Sequence, residues 1–159
     1  MHFQRTGAVL IVVLAVLSLT ACSKKTDTDR VRAVINAVQK AAEDRDVREA
    51  LSHVDRNYRD PAGNDYQAIK GMMLYYFFRH QKISIIVSNL ETVVDGASVS
   101  AHFQAILSSR TGSADNILPD ALGAYRFDIS FRNDQGDWKI VSARWKPWGE
   151  AVQDAVPSR

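Results

Sequence analysis

Cysteine is almost missing from this chain: Cys22 is the only one in 159 residues. A single cysteine excludes an internal disulfide and any thiolate metal cluster, so a folded domain must rest on its apolar core. An excess of charge of one sign is missing too. Twenty basic residues face 18 acidic ones, a net charge of +2 that falls to +1 without Arg5. That balance argues against nucleic acid as a partner. No glycine-rich phosphate loop occurs, and no serine sits in a nucleophile motif. Of the four histidines, His53 has a possible co-ligand in Asp55, but a metal needs three or more ligands and His80 and His102 have no matching spacing. No metal and no cofactor is expected. No apolar run reaches the roughly 20 residues of a spanning helix.

The longest apolar run, Gly7 to Leu19, follows Arg5 and precedes Leu19-Thr20-Ala21-Cys22. Positive charge, a short apolar core, small residues and a cysteine in that order resemble a bacterial lipobox. The resemblance implies a signal peptide over 1–21 and lipidation of Cys22. Ser23, where an aspartate commonly retains such proteins in the inner membrane, implies the outer membrane, facing the periplasm. Residues 22–28 are then the lipidated cysteine and a polar tether reaching on the order of 25 Å.

Residues 29–146 carry the pattern of one domain, with 147–159 as a tail. Val31, Val34, Ile35 and Val38 recur at helical spacing from about Asp29 to Glu43, with Thr28 or Asp29 as cap. Asp46 and Glu49 open a second, short helix in a capping-box pattern. A turn-rich stretch follows, with room for a very short strand near Tyr58. Asn64 with Gln67 begins a third helix, along which Tyr66, Ile69, Met72, Met73, Tyr76 and Phe77 form one stripe.

From Lys82 the period becomes 2. Ile83, Ile85 and Val87 share a face that Leu90, Thr92 and Val94 continue only if a bulge intervenes near Ser88-Asn89. Asp95-Gly96 predicts a hairpin. Ala101, Phe103 and Ala105 alternate with polar residues, and a connection from Ser108 to Leu122 is long enough to be functional. Tyr125, Phe127, Ile129 and Phe131 alternate with Arg126, Asp128 and Ser130. Asn133 to Gly136 turns the chain into a last strand that ends near Trp145, before Pro147.

Three helices followed by an antiparallel sheet of four or five strands give an α+β domain. Their order, with the glycine-then-tryptophan turn Gly136-Asp137-Trp138, resembles the nuclear transport factor 2-like superfamily. That resemblance implies a strongly curved sheet wrapping the third helix into a cone, with a pocket at its open end. Met73, Tyr76, Phe77, Ala101, Phe103, Ala105, Tyr125, Phe127 and Ile129 are its candidate lining residues. Some members are ketosteroid isomerases or polyketide cyclases, and these need an acid or base inside the cone. Strand parity sends His102, Arg126 and Asp128 to the convex side, and Glu91 with them if the bulge exists, so no catalytic residue is assigned. The expectation is a non-catalytic, lipid-anchored module binding an apolar small molecule or an envelope protein, with the enzyme as the alternative. A homodimer through the convex face is open. Trp145 is expected to pack on the first helix.

Overall fold

The computed structural model describes residues 26–110 and 120–148. The segment expected to be a signal peptide, Cys22, most of the expected tether and nearly all of the expected C-terminal tail lie outside those residues.

Helix α1 spans Asp27–Asp44 and starts earlier than its apolar pattern suggests. The cap is Thr26: its Oγ1 accepts from the Asp29 amide at 3.2 Å, and the Asp29 carboxylate accepts from the Thr26 amide at 3.1 Å. That reciprocal box satisfies two end groups at once, which a cap at Thr28 or Asp29 would not. Thr28 instead meets Thr92 on the sheet at 3.4 Å. Helix α2 spans Val47–Ser52, with Asp46 accepting from the Glu49 amide. The box there is one-sided, because the Glu49 carboxylate sits 3.3 Å from His53 Nε2.

Helix α3 spans Tyr66–Arg79 and is capped by Asp65, one residue past the expected Asn64. Asn64 is held elsewhere: its amide and its side chain both donate to Asp60 at 2.9 Å.

Four strands follow, β1 Lys82–Asp95, β2 Ser98–Arg110, β3 Asp120–Asp134 and β4 Asp137–Pro147, in an antiparallel meander of order β1-β2-β3-β4. Register shifts fall between Ser88 and Glu91, between Leu107 and Ser108, and between Ser130 and Phe131. Each extra residue bends its strand and sharpens the right-handed twist, so strands of 11 to 15 residues curl instead of lying flat. The first shift is the bulge expected at Ser88-Asn89, where Asn89 takes φ +52. It keeps Ile83, Ile85, Val87, Leu90 and Thr92 on one face, while Val94 is exposed.

The turn between β1 and β2 is Gly96-Ala97, one residue later than the sequence signal, with Asp95 paired to Ser98. The connection expected over 108–122 is shorter than it reads. After the bulge at Leu107, Ser108 pairs with Ala121 and Ser109 with Asp120, so the strands absorb both of its ends. Its middle, 111–119, lies outside the described residues. β4 runs through Pro147, which an edge strand tolerates because no neighbour needs the missing N–H.

The free edge of β4 is covered rather than bare. Asp55 donates to the Ile140 carbonyl, Ile140 to His53, and Arg59 to Val141. This is what became of the short strand near Tyr58: two isolated bridges, Val54 with Ile140 and Arg59 with Asp65. The core lies between α1, α2 and the concave face, where Val31, Val99 and Phe131 are fully buried.

Candidate functional site

Side chains on a strand alternate between faces, so curling the sheet gathers one set into a concave surface. At one end of the cone α3 and the second half of α1 cover that surface without filling it, leaving a cavity of about 390 Å³. Its sheet wall comes from Ile83 and Ile85 near the start of β1, Leu107 near the end of β2, Tyr125, Phe127 and Ile129 on β3, and Ala143 and Trp145 on β4. Its helical wall comes from Val38 and Ala42 on α1 and Ile69, Met72, Met73, Tyr76 and Phe77 on α3. Val54, Tyr58 and Ile140 close the side along the β4 edge.

Of the nine lining residues read from the sequence, the structure brings six to the cavity: Met73, Tyr76, Phe77, Tyr125, Phe127 and Ile129. Ala101, Phe103 and Ala105 are on the concave face but lie in packed core instead. Phe103 is stacked on Phe127, ring centres 5.2 Å apart, so Phe127 stands between it and the cavity. Parity assigns a face, not a depth along the cone. Trp145 corrects a second expectation. It stacks on Phe127 at 6.5 Å and lines the mouth, rather than packing on the first helix. Tyr58, which the sequence alone places with Asp55, Arg56 and Arg59 in a polar turn that could edge the mouth but reads more simply as solvated, is buried in the cavity wall.

Among the described residues the lining contains no carboxylate, histidine, lysine or arginine; their ionisable groups there are the phenols of Tyr58, Tyr76 and Tyr125. Tyr58 is buried and donates to Asp60 Oδ2 at 3.3 Å. Burial, then the neighbouring Asp60 charge, pushes its phenol well above the ordinary tyrosine range, and a hydrogen bond from the Ala143 backbone opposes this. Asp60 has the reverse balance. Its burial disfavours charge, yet hydrogen bonds from the Asn64 side chain and amide, from Tyr58 and from the Ala62 amide hold the carboxyl below its usual value. An ionised Asp60 therefore sits just behind the wall, fully engaged, and fixes Tyr58 in place.

The ionisable residues of the convex face lie away from the cavity. His102 Nδ1 meets Asp128 Oδ1 at 2.7 Å on the convex side, and Glu91, its cross-strand neighbour, is exposed. Arg56 lies over the Tyr66 ring at 4.6 Å. Among the described residues no three His, Cys, Asp or Glu side chains are placed to hold a metal. At the rim, His80 Nδ1 is 2.8 Å from the buried Ser109 Oγ, and the Tyr76 ring stacks on His80 at 6.1 Å. This contact ties the end of α3 to β2. A second depression, about 460 Å³ and open, lies over the Ser88-Asn89 bulge beside Arg32 and Asn36. Its Gln39 is engaged with the Ile85 carbonyl.

No family model and no curated protein sequence matches this chain. Solved structures do. A nuclear transport factor 2-like protein with a cystatin-like fold from Novosphingobium aromaticivorans aligns with TM-score 0.63 at 12% identity, covering 94% of this chain and 96% of that one. A candidate scytalone dehydratase from the same organism aligns with TM-score 0.68 at 11% identity, covering 77% and 84%. Bd1075 of Bdellovibrio bacteriovorus aligns with TM-score 0.62 at 13% identity over 76% of this chain, which spans only 40% of that protein. At such identities the likeness is one of fold.

Proposed function

With the nuclear transport factor 2-like cone as its fold, we propose that this chain is a lipid-anchored, periplasm-facing binding module. Its cone takes up an apolar small molecule without transforming it. The observation that carries the reading is the cavity lining: among the described residues it offers aliphatic, thioether and aromatic groups with three phenols and no stronger acid or base. Its volume lies in the lower part of the roughly 300–1,000 Å³ range of ligand sites, which are apolar with a few polar groups to orient the guest. Trp145, Phe127 and Tyr125 offer ring faces at the mouth, and the two methionines adapt their shape to a guest. The Tyr58 phenol, kept neutral and already donating to Asp60, is a poor base. The isomerase or cyclase alternative needs proton transfer by a group whose pKa lies near the working pH, and the lining supplies none. The anchor comes from the lipobox at Cys22, and it sets where such a ligand would be met.

The test uses the full chain with an environment-sensitive apolar dye such as N-phenylnaphthylamine, together with mass spectrometry of any molecule that copurifies. Ala143→Phe places a ring in the cavity. It is expected to lower dye affinity at least about tenfold, the equivalent of about 1.4 kcal/mol, while leaving the fold intact. Equal dye binding by both proteins overturns the ligand reading. For the anchor, Cys22→Ala is expected to accumulate as uncleaved, unacylated precursor, and acyl incorporation in that variant overturns lipidation.

A further inference from the structure

Helix α3 is apolar on both sides. Its inner stripe lines the cavity, whereas Leu74, Tyr75 and Phe78 form an outer stripe that is solvent-exposed, Phe78 to 91%. Amphipathic helices at a protein surface are polar on the outside; one that is apolar all round has a cover on each face. The outer stripe is bordered by Lys70 on one flank and by Arg79 on the other, with Lys82 just beyond the helix. Arg79 donates to the Tyr75 hydroxyl at 2.6 Å and lies over its ring. From Tyr66 to Lys82 there is no aspartate or glutamate. At the same end of the cone Trp145 and Trp148 are exposed.

We propose that this outer face of α3 is a membrane-docking surface that seats in the headgroup layer of a bilayer containing anionic phospholipid. Aromatic rings favour that depth, and lysine and arginine beside them pair with the lipid phosphates. A second copy of the chain fits less well. Two such faces packed together would bring Lys70, Arg79 and Lys82 near their own kind, with no acid between Tyr66 and Lys82 to neutralise them. The proposal goes beyond ligand binding and uses the anchor only as what keeps the domain beside a bilayer. Docking would also hold the cavity mouth, formed partly by Tyr76, near the lipid surface.

The experiment places a polarity-sensitive nitrobenzoxadiazole label at Phe78→Cys in the full chain, with Ser130→Cys on the convex face as reference. The parent chain carried through the same labelling corrects for any reaction at Cys22. Both proteins are reconstituted into phosphatidylethanolamine–phosphatidylglycerol vesicles and floated. The expected result is a blue-shifted emission at position 78, quenched by spin-labelled acyl chains, and a water-like emission at position 130. Lys70→Gln with Lys82→Gln should lower the docked-to-undocked ratio by roughly thirtyfold at low salt. Co-flotation with a water-like emission at position 78 overturns the docking face and leaves the anchor standing. Absence of co-flotation overturns both. A blue shift that precedes vesicle addition and grows with protein concentration assigns the face to a second copy, and likewise overturns the proposal.

Discussion

Replacing Asp60 by alanine tests how the cavity wall is held. The carboxylate is 6% exposed and accepts from the Asn64 amide and side chain at 2.9 Å each and from Tyr58 at 3.3 Å. Hydrogen bonds to a charged group contribute roughly 1.5–3 kcal/mol each, and an orphaned buried donor costs roughly 1–3 kcal/mol. Two strong bonds and a stranded phenol, partly relieved by relaxation of the turn, give a loss of about 3 kcal/mol. With a urea m-value of about 1.5 kcal/mol/M, the midpoint should fall by about 2 M. The effect depends on pH in a defined direction. Because the folded carboxyl titrates below its unfolded value, its contribution is complete above about pH 4 and is lost as pH falls further. The gap between wild type and Asp60→Ala should therefore narrow in acid. Urea denaturation followed by tryptophan fluorescence at neutral pH and at about pH 3 measures both. A difference below about 0.5 kcal/mol at neutral pH, or one unchanged in acid, would refute the assignment of Asp60 as the post behind the wall.

Tyr58→Phe removes the bond donated to Asp60 and the one accepted from the Ala143 backbone, and should cost roughly 1–2 kcal/mol at neutral pH. Since the folded phenol titrates above its unfolded value of about 10, the stability it lends is complete below that pH. It declines as pH rises further, so wild type and variant should converge in alkaline urea titrations. Thr26→Ala breaks the reciprocal box that starts α1 and should lower stability by about 1 kcal/mol, read by thermal melting. No change would place the functional start of α1 at Thr28.

The sequence determined the element types, their order and which face of each strand turns inward, because those follow from local periodicity. The bulge at Ser88-Asn89 was legible for the same reason: without it Leu90 and Thr92 would change sides. The caps of α1 and α3 lie one to three residues from where the pattern puts them, because a competing partner, invisible locally, takes the side chain. Asn64 is drawn to Asp60, and Thr28 to Thr92. The burial of Tyr58 was not legible because it depends on the turn folding back along β4, nor was the depth of Ala101, Phe103 and Ala105, which depends on where α3 crosses the cone. The dyad of His80 and Ser109 joins residues 29 apart in sequence. Sequence periodicity is a property of single elements, whereas a cavity is what remains between elements once bulges have set the curvature. For that reason the chain itself specified an apolar concave face, and only the tertiary structure decided that the face encloses a space and that Phe78 is left outside it.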